Sequence, residues 1–423
     1  MGRLSTFVAP LPSSSVIQLM SFVNRAVIVG GIPLLKYVWG FRPLTRITEV
    51  DFPEADQATL RTLVDVNNTA VFITPNHPEF FTDWMLDKYV LSKVAPQAAS
   101  WATHTIVNGT GALLQRFWLA NNLIAQIPQA TESARQHSIN WAAQGYAVLL
   151  HPEGNVGWHA NYIAPVFSGA AQMALDTLLL HRKVTESFVA PVVWKIVFTK
   201  DVTKGLRKEY YFICKQFSLE PQSEIDPAKA VYHLYEEVLA RSEATLFGVV
   251  DRAEPFRFRV IRLLVQLENE LRDETVSTET GAILTKTARD MIKLFQVSDT
   301  AKAKCLTTLI QEIERWQRLS AFAWTTSTIT QEEIAEHQKR LRSFYCVRGF
   351  SNIINRFVPR AVGPRRVCIR VLQPIALHTE SGLREVIVRE ATARLQAGLQ
   401  RGVDTLSRTI PSANRPVYIN PFF

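Results

Sequence analysis

Between residues 69 and 198 the chain alternates short apolar runs with segments whose apolar positions recur every three or four residues. TAVFITP (69–75), ASWATHTIV (99–107), LIAQI (123–127), YAVLLHP (146–152) and FVAPVVWKIVF (188–198) read as strands. FTDWMLDKYVLSKV (81–94), a segment opened by Gly109 and Gly111 that runs through Trp118, SARQHSINWAAQ (133–144) and a stretch near 169–180 read as helices. Strands that alternate with helices need crossover connections. The pattern therefore predicts an α/β fold with a mostly parallel sheet and helices on both faces. KEYYFICKQFS (208–218) also alternates and predicts one more strand.

After about residue 225 the period becomes helical for more than 100 residues, with Val260, Leu264, Leu267 and Leu271 on one face and further helices near 281–296, 301–322 and 330–346. RRVCIRVLQPIAL (365–377) returns to strand character and a closing helix covers about 380–405. A last strand that rejoins the sheet makes the helical region an insertion; otherwise it is a C-terminal helical region. The expected organisation is a membrane-associating segment over 1–50, an α/β core over 51–225, the helical region over 226–360, and the closing strand and helix over 361–423.

Residues 15–40 are mostly apolar, but Gly30, Gly31 and Pro33 cut them into pieces shorter than the roughly 20 residues of a spanning helix. Lys36, Arg42 and Arg46 follow. This suits an interfacial or re-entrant anchor, with a buried pair of core helices as the alternative.

Composition narrows the class. With 47% hydrophobic and 20% charged residues among 423, the composition argues against wholesale disorder, collagen and coiled coil. Four separated cysteines, Cys214, Cys305, Cys346 and Cys368, have no zinc spacing and read as reduced thiols. The net charge of +9 lies in one place: between Gln338 and Pro374 there are nine Lys and Arg and no acid. Those cations (Lys339, Arg340, Arg342, Arg348, Arg356, Arg360, Arg365, Arg366 and Arg370) form either a basic patch for anionic headgroups or an acidic carrier protein, or a solvated helix face paired with acids. No basic-aromatic motif supports a nucleic-acid partner.

Two histidines stand in unusual settings. Asn76-His77-Pro78 follows the first strand of the alternating region, and His151-Pro152-Glu153-Gly154 follows the fourth. In a parallel sheet the carboxyl ends of strands share an edge, so both loops can converge on one cleft. Asp83, six residues after His77, can fix its tautomer while the imidazole removes a proton from an attacking alcohol. No G-x-S-x-G elbow is present, so the acceptor hydroxyl itself would be the nucleophile. A metal-dependent hydrolase built from His77, Asp83, His151 and His159 is an alternative, although no H-E-x-x-H spacing occurs.

ITPNHPEFFTDWMLD (73–87), NLIAQIP (122–128), VLLHPEGNVGWH (148–159) and FVAPVVW (188–194) together resemble the glycerolipid acyltransferases typified by 1-acylglycerol-3-phosphate acyltransferase. The resemblance covers about residues 15–200, with 365–377 resembling the family's closing strand. It implies that His77 is the general base and Asp83 its orienting partner. Asn76, Pro152, Glu153 and Gly154 would line the acceptor site. The implied reaction moves a fatty acyl group from a coenzyme A or acyl carrier protein thioester to a lipid hydroxyl, with no metal or other cofactor, at the cytoplasmic face of a membrane by a peripheral or monotopic enzyme.

The sequence also departs from the family. Five residues rather than four separate His77 and Asp83, and Asn155 and Val156 stand where Thr and Arg usually follow the Glu-Gly pair. Gln126, Ile127, Pro128 and Gln129 occupy the stretch where a second arginine is common. These arginines are the expected phosphate clamps. Either Arg116 or Arg135 substitutes, or the acceptor has no phosphomonoester. A non-catalytic lipid-binding protein on the same fold is the remaining alternative.

Overall fold

A computed structural model describes residues 7–29, 45–109, 111–127, 131–154, 156, 159, 161–279, 284–285, 287–288, 291–292, 299–346, 361–379, 383–410 and 416–423. The chain divides into two compact units, one formed by 1–205 with 335–415 and the other by 206–334 with 416–423.

The first unit begins with α1 (Ser14–Val29), β1 (Ile47–Asp51), α2 (Glu54–Val64), β2 (Thr69–Pro75), α3 (Phe80–Val94) and β3 (Ala99–Thr103). It continues with the short α4 (His104–Val107), α5 (Ala112–Ala120), β4 (Leu123–Gln126), α6 (Thr131–Ala142), β5 (Val148–Leu149), α7 (Gly169–Leu180) and β6 (Glu186–Phe198). The main sheet has strand order β1-β8-β6-β2-β5-β3-β4, where β8 is Arg365–Val371, and β9 (Ile375–Leu377) also pairs with β6. Strands β6, β2, β5, β3 and β4 run parallel; β8 and β9 run antiparallel to β6 along one edge of it, and β1 runs parallel to β8. The fold is thus α/β with a mostly parallel sheet.

Strand alternation sends β2 side chains to two cores. Ala70 and Phe72 face α6, α7 and the closing helix over Arg384–Thr409. Val71 and Ile73 face α2 and α3. With both faces covered, β2 is buried along its whole length, and this is why it reads as a continuous apolar run.

The second unit is mainly helical: most of α8 (Thr203–Phe217), α9 (Pro227–Phe247), α10 (Phe256–Thr275) and α11 (Thr300–Ala323), with the small antiparallel pair β7 (Thr328–Thr330) and β10 (Val417–Ile419). The strand expected over 208–218 is instead the helix α8. Its buried residues are Leu206, Tyr210, Ile213, Cys214 and Phe217, whose spacing of three and four marks one helical face, so the apparent alternation was incidental. Residues 104–107, expected to finish a strand, turn into α4. The helix expected near 281–296 and the 30–40 half of the anchor lie largely outside the described residues. Among the described residues no helix is long and apolar enough to cross a membrane.

The expected basic patch is not formed by its described cations. Lys339, Arg340, Arg342 and Arg365 are buried. Arg366 pairs with Glu49 and Asp51, and Arg370 pairs with Asp51. Arg348, Arg356 and Arg360 lie outside the described residues. A run of like charges along the chain becomes a surface patch only if the fold turns those side chains outward, and here α12 (Gln331–Tyr345) and β8 bury several of them.

Candidate active site

Three adjacent strands, β5, β2 and β6, bring the site together at their carboxyl ends. Just past β2, Asn76 turns inward and continues the ladder with its side chain: Nδ2 donates to the Trp194 carbonyl at 3.0 Å and Oδ1 accepts the Trp194 N–H at 2.9 Å. This clamp fixes the backbone at the start of the turn that carries His77.

His77 Nδ1 lies 2.8 Å from Asp83 Oδ2, and no partner is recorded for Nε2 among the described residues. Asp83 is completely buried and also accepts the Glu79 N–H at 2.8 Å and the Trp194 indole N–H at 3.0 Å. With donors already converging on the carboxylate, His77 is set to donate from Nδ1, which leaves Nε2 as the basic nitrogen. Burial, and then the neighbouring His151, hold the His77 imidazole well below its ordinary value. Burial, with Glu79 and Asp87 nearby, pushes Asp83 up, against the pull of the Glu79 and Trp194 donors. A neutral imidazole oriented by an acid can act as a general base.

Glu153 holds this turn in place. It is 6% exposed, and its two carboxylate oxygens accept the His77 N–H at 2.7 Å and the Ala164 N–H at 2.8 Å. Gly154 adopts φ +65°, and a Cβ there would lie 2.6 Å from the Phe167 ring. Pro152 accepts the Phe167 N–H at 2.8 Å. Asn76, Pro152, Glu153 and Gly154, expected as acceptor ligands, are thus seen shaping the backbone around His77.

Arg135 is committed elsewhere. It pairs with Asp176 and Glu132, and Arg384 bonds the same Asp176 at 2.7 and 2.9 Å. Arg135 and Arg384 border a cleft of about 930 Å³ between α6, α7 and the closing helix. A guanidinium already held by carboxylates is a poor substitute phosphate clamp. Pro128, Gln129, Asn155 and Trp158 lie outside the described residues.

Sequence reasoning missed Asp87, Trp194 and Lys88. His151 Nε2 lies 3.1 Å from Asp87 Oδ2, and its Nδ1 lies 3.1 Å from the Asn76 carbonyl. The His77 and His151 rings stack with centroids 4.0 Å apart and planes at 17°. Burial alone would lower His151, but the Asp87 carboxylate and its hydrogen bond, with Glu153, raise it. The i,i+4 spacing of Asp83 and Asp87 was the available signal, since it puts both acids on one helix face. Lys88 is buried with Nζ donating to the Asn121 carbonyl at 3.0 Å, and burial lowers it to about 8 against the opposing charge of Asp87.

His159 Nδ1 faces the Arg340 guanidinium at 2.8 Å. Among the described residues, no group of three or more His, Cys, Asp or Glu is placed to hold a metal ion. No protein-family model matches the chain, and no curated protein matches it.

Proposed function

We propose that the protein is an O-acyltransferase that moves a fatty acyl group from a coenzyme A or acyl carrier protein thioester to a hydroxyl of a lyso-lipid or glycerol-type acceptor. The observation that carries this reading is the His77–Asp83 pair, with Nδ1 engaged and Nε2 without a recorded partner, at the carboxyl end of a central parallel strand. Nε2 takes the acceptor hydroxyl proton as the oxygen attacks the thioester carbonyl. The tetrahedral adduct collapses with cleavage of the C–S bond, and the proton on His77 passes to the departing thiolate. Oxygen gains the acyl group and sulfur gains the proton, so no oxidant and no covalent acyl-enzyme is required.

A membrane-surface location suits substrates with long chains. Leu19 and Phe22 on α1 and Leu113 on α5 are exposed, and such side chains can enter a lipid interface. The test is His77→Ala in purified, folded protein given an acyl thioester and a lyso-lipid. Loss of transfer by roughly 100-fold or more is expected for removal of a general base; unchanged transfer refutes the reading.

A further inference from the structure

The site contains a second histidine–aspartate pair that the reaction above does not use. His151 has a hydrogen-bond acceptor on each ring nitrogen: the Asn76 carbonyl, with Pro75 O at 3.3 Å, on Nδ1, and Asp87 on Nε2. A neutral imidazole can donate to only one of two acceptors, so the environment selects the doubly protonated ring. That ring lies parallel to His77 at 4.0 Å on one side, while the Trp194 indole meets it edge-on at 5.8 Å. Trp194 also bonds Asp83, so the two pairs share one wall.

We propose that His151 is a positioning residue for His77: locked as an imidazolium between Asp87 and the Asn76 carbonyl, it fixes the plane of the His77 ring and repels a proton from it, keeping Nε2 available as a base in mildly acidic conditions. In mechanism this rests on the acyltransferase reading; in physics it concerns only the two rings. Like charges at stacking distance disfavour joint protonation, and His151, with an acceptor on each ring nitrogen, keeps its proton in preference to His77, which has an acceptor on Nδ1. The other charged groups facing the pair are Glu79, Asp83 and Asp87 from α3, and Glu153 from the turn after β5. Arg365 from β8 bonds Glu79, and Lys88 lies beside Asp87. The His77 imidazole, lowered first by burial and then by His151, and the raised His151 agree with this arrangement.

The experiment is a pH titration of the full-length protein carrying ¹³C-labelled histidine, with the His77 Cε1–H signal assigned by its loss in His77→Gln and the His151 signal by its loss in His151→Phe. In the wild type, His151 should titrate above the ordinary histidine value of about 6.5 and His77 below it. His151→Phe keeps an aromatic ring and removes the charge, so the His77 midpoint should rise by about 1–3 pH units. Asp87→Asn leaves both rings in place and should move His77 the same way. An unmoved His77 midpoint in the folded variants overturns the proposal, as does a His151 that titrates below His77 in the wild type.

Acyl transfer is followed over the same pH range. The acid limb of kcat/KM should move upward with the His77 midpoint. A shifted midpoint without thioester consumption by the wild type refutes the reaction and leaves the ring coupling standing. Transfer with neither midpoint nor acid limb displaced refutes the coupling and leaves the reaction standing.

Discussion

Glu153→Gln separates a residue that builds the site from one that binds substrate. The Glu153 carboxylate is buried and bridges two backbone donors, His77 N–H at 2.7 Å and Ala164 N–H at 2.8 Å. Glutamine has the same shape but only one acceptor oxygen, so its NH₂ must meet one of those donors. A bond to a charged group is worth about 1.5–3 kcal/mol, and a buried donor left without an acceptor costs about 1–3 kcal/mol; because the two overlap, the expected loss is about 2–4 kcal/mol. That is a large part of a folding stability on the order of 5–15 kcal/mol. Urea unfolding should show a lower midpoint with an unchanged slope. Acyl transfer should fall in kcat, because the His77 backbone loses its tether while the acceptor contacts remain. If Glu153 instead lined the acceptor site, KM would rise and the unfolding midpoint would stay where it is. An unchanged midpoint refutes the bridging argument.

Three further changes test neighbouring parts of the same construction. Trp194→Phe removes the indole donor from Asp83 and keeps a ring; Asp83 should be pushed further up and the acid limb of acyl transfer should move to higher pH, with stability about 2–4 kcal/mol lower by urea unfolding. Lys88 lies at about 8 in the fold against 10.5 unfolded, so its charged form is penalised below pH 8 and the penalty fades as pH rises to 10.5. At about 1.4 kcal/mol per pH unit, less roughly 1 kcal/mol for the lost bond to Asn121, Lys88→Met should be more stable than wild type by about 2 kcal/mol at pH 7 and lose that advantage at high pH; thermal melts at the two pH values check the sign. Gly154→Ala places a side chain at φ +65° and against Phe167, so a loss of about 1–3 kcal/mol is expected in the same unfolding assay.

The alternating pattern made the sheet legible because β2 and most of β6 are buried on both faces and are written as largely apolar runs. The short polar-flanked β1, with burial confined to Ile47 at one end, carried no such mark. α8 misled because Tyr210, Tyr211 and Phe212 stand in a row across its helical stripe; aromatic content raises strand propensity, and tertiary burial at Leu206, Tyr210 and Ile213 decided otherwise. In the site, His77 and Asp83 were legible from their position after a strand. Trp194 was not, because an indole that donates to a carboxylate from 111 residues away looks like any other core aromatic. The cations of 339–370 misled for a related reason: sequence counts charge but does not show which guanidinium lies under a helix or beside an acid, as Arg365 lies beside Glu79.

The extra residue between His77 and Asp83 has a local explanation. Glu79 is the N-cap of α3, and the Asp83 N–H donates to the Glu79 carbonyl at 2.9 Å, so Asp83 sits at the end of the first helical turn. From there its Oδ2 reaches back to the Glu79 N–H as well as to His77 Nδ1. The carboxylate thereby satisfies a backbone donor at the helix start, where such donors lack partners, and orients the imidazole with the same oxygen. Glu79 is itself held by Thr82 at 2.6 Å and by Arg365, which ties the start of the helix to β8. Because the acid that satisfies the Glu79 N–H also orients the imidazole, a longer turn does not release His77, provided the helix start moves with the acid. The same economy accounts for Asn76, Glu153 and Gly154 being bonded to or shaping the backbone: with the main chain fixed around it, the His77 ring keeps its Nδ1 contact with Asp83.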